Sequence, residues 1–282
     1  VLPEKSFNLS VIGTPAEETT GGKIPMIKEG VFEQIDVAMM FHAHSVTTAN
    51  RPCIGRTALE FEFFGKTAHA SSFPYLGINA LDGLILTYNN INALRQQVRE
   101  DVRIHGIIID GGKVRNSIPD YAKGEFFVRA RDKAYMEDIV EKVKACAHGA
   151  ARATGAKLKI GSSMPTYLPD IPIPSLISAF EDNLSSLGLQ VDKLEPPFKL
   201  GSSDFGNLSQ QIPSIMGFIN ITSSPTHTQA FTNAVGSKRG QESMIQAVKA
   251  MAMTTVDLYK DPNLLNRIKQ EFENTNSRLK IV

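Results

Sequence analysis

The feature that most constrains the fold is a change in hydrophobic grammar at Arg51-Pro52, undone near residue 165. Ahead of it, residues 6–13 and "DVAMMFHAH" (36–44) are continuous apolar runs, the pattern of strands buried on both faces. Between them "GKIPMIKEG" (22–30) reads as a short helix. Strand, helix and strand in that order predict a parallel unit, with ligands gathering at the carboxyl ends of its strands. Beyond Arg51-Pro52, "RTALEFEFFGK" (56–66) alternates, which puts Leu59, Phe61 and Phe63 on one face of a half-exposed strand. A helix at 79–98, strands at 102–112 and 124–132, a helix at 136–155 capped by Gly155 and a strand at 157–163 follow. The order βαββαβ over about 110 residues is that of a ferredoxin-like or split βαβ unit. After residue 165 come a proline-rich loop, a helix at 174–187, a short helix from Ser203-Asp204 and a buried strand "PSIMGFINI". A loop carrying His227, a long helix over 240–260 and a charged terminal helix complete the chain. The expected architecture is an α/β domain, 1–53 and 165–282, that receives an α+β ferredoxin-like domain at 54–164.

A length of 282 residues suits two domains. Hydrophobic residues at 42% and charged residues at 21% are ordinary for a soluble globular protein. A formal charge of +1 and the lack of a basic stripe with interleaved aromatics give no case for nucleic acid. No apolar run approaches the roughly 18 residues of a membrane span. Two cysteines, Cys53 and Cys146, far apart and in unlike contexts, argue against a disulfide framework and fit a reducing cytoplasm. No secretory signal is visible. Because "SFNLSVIG" reads as a buried strand within the first ten residues, a segment upstream is expected to be missing.

Glu17 and Glu18, in "VIGTPAEETTGGK", put two like charges side by side where a strand gives way to a helix. A solvated first helical turn accommodates them, since acids suit the positive end of the macrodipole. A second reading gives one carboxylate to a metal and leaves the other to move a proton, a division that metal-assisted hydrolysis needs. His42 and His44 share a face if the strand persists, and either could equally be an exposed loop residue. With the glutamates and His227 they make an oxygen-and-nitrogen set suited to zinc or manganese. His69 lies just beyond the first strand of the inserted domain, as a turn residue or as a group reaching a reaction centre. Asn116 follows a Gly-Gly turn, and turn chemistry alone accounts for it. Arg129 and Arg131 alternate on one strand face, where a guanidinium fork could take a carboxylate or simply meet solvent. No G-x-S-x-G elbow, cysteine-nucleophile motif, P-loop or dinucleotide fingerprint is present.

"GTPAEETTGGK", "DVAMMFHAH", "FFGKTAHASSFP", "GGKVRNSIPD", "GSSDFGN" and "THTQAF" occur in the order seen in metal-dependent aminoacylase and carboxypeptidase-like amidohydrolases. The chain most resembles the branch with p-aminobenzoyl-glutamate hydrolase, N-acyl-amino-acid hydrolases and dipeptidases. The resemblance implies a metal-binding α/β domain and an inserted lid and dimerisation domain. It implies hydrolysis of an amide or peptide bond in an N-acyl-amino acid, p-aminobenzoyl-glutamate-like conjugate or dipeptide. Glu17 then matches the base that activates water, and Glu18, His42 and His227 match ligands of zinc or manganese, two ions per active site in the intact family fold. His69 matches the lid histidine that steadies the tetrahedral oxyanion in a partner subunit's site. Asn116 and Arg129 match substrate-binding positions, with Arg131 as fallback. A homodimer through the lid is implied. The family's early strand-loop segment, which carries further ligands, has no counterpart ahead of Glu17, so the alternative is a truncated, catalytically incomplete chain that only dimerises and binds ligands.

Overall fold

The computed structural model describes residues 7–194 and 201–279. The chain divides into two compact units: Val1–Glu17, Gly21–Cys53 and Asp170–Val282 form the first, and Ile54–Pro169 with Glu18–Thr20 the second.

The first unit is built on two parallel strands, β1 (Ala38–His44) and β6 (Ser214–Asn220), paired from Ala38↔Ser214 to His44↔Asn220. Helices α1 (Lys23–Lys28), α4 (Pro174–Ser186), α5 (Phe205–Ser209), α6 (Gln229–Val235), α7 (Lys238–Lys260) and α8 (Pro262–Leu279) belong to it. Its core joins Leu176, Phe180 and Leu184 of α4 to Ile215 and Ile219 of β6, Ala247 and Ala250 of α7 and Ile268 of α8. Gly217 in β6 makes room for that packing, because a Cβ there would stand 2.5 Å from the Phe180 ring.

The apolar run expected as a first strand is not one. Residues 7–13 carry no regular structure; Leu9 is 70% and Val11 96% exposed, while Ser6 lies outside the described residues. A strand exists only where a neighbour completes its ladder, and β1 takes its parallel partner from β6, beyond the insertion, instead of from the run before α1. The expected local strand-helix-strand unit is corrected accordingly. Helix α6, opened by Thr228 accepting from the Phe231 amide at 3.2 Å, was not expected.

The second unit contains β2 (Gly55–Phe64), α2 (Ala80–Leu94), β3 (Arg103–Asp110), β4 (Tyr121–Ala130), α3 (Lys133–Thr154) and β5 (Lys157–Gly161). The strands form one antiparallel sheet in the order β3-β4-β2-β5. Leu59, Phe61 and Phe63 of β2 and Phe126, Val128 and Ala130 of β4 face Leu84 and Ile91 of α2 and Met136, Ile139 and Val143 of α3. The helix ends are locally encoded: Asn79 caps α2, Asp132 caps α3, and Gly155 closes α3 at φ 73°. Residues 165–169 group with this unit, past the sequence boundary at 164, because Arg56 and Tyr167 exchange both backbone hydrogen bonds, at 2.7 and 2.9 Å. No helix among the described residues is long and apolar enough to cross a membrane.

Candidate active site

The glutamate loop is a closed turn. The Gly21 amide donates to the Ala16 carbonyl at 2.9 Å, and Gly21 adopts φ 64°. Gly22 packs on Pro15 so closely that a Cβ would fall 1.9 Å from its carbonyl oxygen. The glycine pair is thus the local condition for presenting Glu17 and Glu18 in front of α1. Lys23 anchors the far side. Its amide donates to Asp204 Oδ2 at 2.9 Å and its Nζ to Oδ1 at 2.8 Å, with both side chains buried. Both oxygens of Asp204 are therefore engaged.

Two non-glycine residues among those described have positive φ: Ala16 at 66°, next to Glu17, and His227 at 62°. Such a conformation is costly for residues with a Cβ and tends to gather at functional sites. Both positions bear on residues singled out from the sequence.

His42 and His44 sit at the carboxyl end of β1 and flank one ring, with centroids 6.0 and 5.4 Å from that of Phe218. The exposed His42 ring has Nδ1 2.6 Å from the Ala43 carbonyl. His44 is half-buried, and burial, then the charges of Arg51 and His42, lowers its pKa to about 4. It is a neutral imidazole at pH 7 and keeps a ring lone pair. Arg51 stacks over the same Phe218 ring at 5.0 Å. Beneath lies Cys53, packed with Phe205, Met216 and Phe218, its amide donating to Asp170 Oδ1 at 2.7 Å. Burial pushes the Cys53 thiol far above its ordinary range, and the charges of Asp170, Glu17 and Asp204 act in the same direction. Glu17, Asp204 and Asp170 are thus within electrostatic reach of one thiol beside the histidine pair. Burial also raises the Asp170 carboxyl to about 6. Arg51, Cys53 and Asp170 had no motif to announce them; their roles come from contacts across the chain.

The other candidates are described by the unit that carries them. Glu18 follows Glu17 in the turn but groups with the second unit. His227 is exposed, one residue before the cap of α6. Among the described residues no three His, Cys, Asp or Glu side chains come together as a metal-holding group.

In the second unit His69 and the Asn116 loop are brought together. The Ala70 amide donates to the Asn116 carbonyl at 3.0 Å, and His69 bridges Ser117. His69 Nδ1 lies 3.4 and 3.3 Å from the Ser71 and Ser72 amides, which can only donate, so the neutral ring carries its proton on Nε2. His69 and Asn116 are both exposed. Arg129 stands on β4 with Phe127 beneath its guanidinium at 5.5 Å. Arg131 lies beyond the strand end, exposed, its amide donating to Asp101.

The chain is 37% identical over 266 residues to the Xaa-Arg dipeptidase of Mus musculus, covering 93% of this chain and 62% of that protein. It is 24% identical to a p-aminobenzoyl-glutamate hydrolase component of Escherichia coli, over 93% of this chain and 66% of the relative. The chain therefore spans less than two thirds of these relatives' length. Among solved structures, a putative aminohydrolase from methicillin-resistant Staphylococcus aureus superposes with a TM-score of 0.67 at 21% identity, covering 85% of this chain and 64% of the other. An aminobenzoyl-glutamate utilization protein from Klebsiella pneumoniae gives 0.64 at 19% identity, covering 86% and 60%. These two likenesses speak for the fold. The profile of Peptidase family M20/M25/M40 matches residues 2–253, and the chain belongs to that family.

Proposed function

We propose that the chain is the greater part of a hydrolase that cleaves the amide or peptide bond of an N-acyl-amino acid, p-aminobenzoyl-glutamate-like conjugate or dipeptide. Family membership and the names of its relatives support this, and the observation that carries it is the group at the carboxyl end of β1. There Glu17, held out on a closed and strained turn, lies within electrostatic reach of Cys53 beside His42 and His44. In this reading Glu17 takes a proton from the attacking water and delivers it to the leaving amine. His69 of one copy donates its Nε2 hydrogen to the oxyanion developing in a second copy's site, and Asn116 and Arg129 bind the substrate carboxylate.

Zinc or manganese is the metal that the family resemblance brings, with Glu18, His42 and His227 as its residues here. No step is routed through it, since no metal-holding group of three such side chains is found among the described residues. The second reading is that the chain as it stands binds ligand without turnover.

The strand order of the second unit is that of a split βαβ, which supports reading it as the family's ferredoxin-like lid. Its edge strand β3 exposes Ile107, Ile108 and Ile109 at 61%, 45% and 49%, an unprotected edge suited to pairing with a second copy. Sedimentation at micromolar concentration should give a dimer mass, and a monomer would count against that assignment. A cytoplasmic location is part of the proposal.

The test is hydrolysis of N-acyl-amino acids and dipeptides, with zinc or manganese added, by the wild-type chain and by Glu17→Gln. Turnover is expected in the first and a loss of at least roughly 100-fold in the second, the scale of general-base catalysis. Equal turnover by both would remove Glu17 from its role. No turnover by the wild type with ligand still bound would select the second reading.

A further inference from the structure

Asp204 stands at the N-cap of α5, where an aspartate ordinarily accepts from the first amides of its own helix. Its side chain accepts none of them. Both carboxylate oxygens instead meet Lys23, 181 residues back along the chain, Oδ2 taking the backbone amide and Oδ1 taking Nζ. Lys23 is the first residue of α1, and the cap position of that helix is Gly22, which has no side chain to supply an acceptor. The first amide of α1 is thus satisfied from a distant helix. Stability alone does not call for such a pair. Asp204 is fully buried and Lys23 is 4% exposed, and an apolar pair of similar volume often serves the fold as well or better.

Two paths of contact leave the pair. One runs through α5: Phe205 packs with Cys53, Met216 and Phe218, and Phe218 is the ring that His42 and His44 flank. The other runs back along the chain from Lys23. Gly22 packs on the Pro15 carbonyl, and the Gly21 amide closes on Ala16, the residue of positive φ beside Glu17. Asp204 is therefore the point where the support of the histidine pair meets the support of the glutamate turn. All of these residues belong to the first unit.

We infer that Asp204 is a positioning residue: through the Lys23 amide it holds the strained Ala16–Glu17 turn in register with the histidine pair. This rests on the reading of Glu17 as the base and names the group that aims it. A carboxylate that accepts a backbone N–H and an ammonium N–H together fixes both place and direction, which apolar packing does not.

The test is residue-resolved hydrogen exchange on the whole chain, read at the Gly21 amide with the β6 ladder as internal reference. Lys23→Met/Asp204→Asn keeps an acceptor for the residue 23 amide without charge, and Lys23→Met/Asp204→Leu removes it. From wild type to the Leu variant, Gly21 protection should fall on the order of 10- to 100-fold, the range for a hydrogen bond to a charged group. The Asn variant should lie between, with β6 unchanged in both. An equal fall at Gly21 and β6 would mean a role in global stability alone, and an unchanged Gly21 would mean no hold on the turn; either overturns the inference. If the Leu variant does not fold, the wild type decides. Its Gly21 and Lys23 amides should open in one reaction, their protection falling in parallel as urea rises below the transition. A Gly21 amide that opens while Lys23 stays closed would overturn the inference. With zinc or manganese added and an N-acyl-amino acid as substrate, the Leu variant should lose kcat on the order of 100-fold with KM nearly unchanged, and the Asn variant should recover part of it. Full kcat in a Leu variant whose Gly21 has loosened would remove the link to Glu17. A chain in which Gly21 responds as expected yet the wild type hydrolyses nothing would sink the hydrolase proposal alone.

Discussion

Replacing Asp170 by Asn should make the protein more stable at pH 8 and leave it nearly unchanged at pH 4. Burial raises the Asp170 carboxyl from 3.8 to about 6, against the pull of the Cys53 amide that it accepts at 2.7 Å. Between those values the native state holds a proton that the unfolded chain has released, so stability falls as pH rises through the window and the loss is complete above the folded value. A shift of this size corresponds to about 3 kcal/mol, a ceiling because the interior relaxes around the charge. Asn retains an acceptor for the Cys53 amide and has no charge to desolvate. The assay is urea unfolding of both proteins at intervals from pH 4 to pH 8, read as the difference in free energy. His44, whose lowered pKa makes stability fall in the opposite direction, on acidification, is common to both proteins and cancels. The difference should grow from near zero to about 2–3 kcal/mol in favour of Asn, levelling off above the folded pKa. A flat difference, or one that favours Asp at high pH, would refute the desolvation argument.

Two further perturbations test the supports of the site. Lys23→Met strands the buried Asp204 carboxylate and should cost about 3–5 kcal/mol, with Lys23→Met/Asp204→Leu recovering most of it; denaturant midpoints of the two variants decide this. Gly217→Ala drives a methyl toward the Phe180 ring and should cost about 1–3 kcal/mol with little change in the denaturant slope, whereas a neutral result would mean that α4 yields freely.

The inserted unit was the most legible part of the sequence because its instructions are local. Alternation in β2 sorts Leu59, Phe61 and Phe63 from Glu60 and Glu62, and the caps at Asn79, Asp132 and Gly155 lie within a residue or two of the helices they bound. The first unit hides its instructions in contacts distant along the chain. An apolar run is compatible with a strand, yet residues 7–13 find no ladder, while β1 pairs with residues of β6 beyond the whole insertion. For the same reason the histidine pair could be read from its spacing, but the Phe218 ring between them and the Lys23–Asp204 clamp could not. Thr228 is a readable cap for α6, masked by its neighbour His227, whose residue type suggests a ligand loop instead of a helix start.

The two junctions of the insertion carry a consequence for the order in which the chain assembles. Arg56 with Tyr167 ties its ends together on one side, and Cys53 with Asp170 does so on the other. An unfolded loop of this length would charge the pairing of β1 with β6 about 4 kcal/mol of closure entropy. Once the insertion has folded, that loop is already shut, and segments distant in sequence meet as near neighbours. An insertion that folds first would thus turn the long-range pairing of β1 with β6 into a short one, and folding of the surrounding domain would then follow that of the insertion.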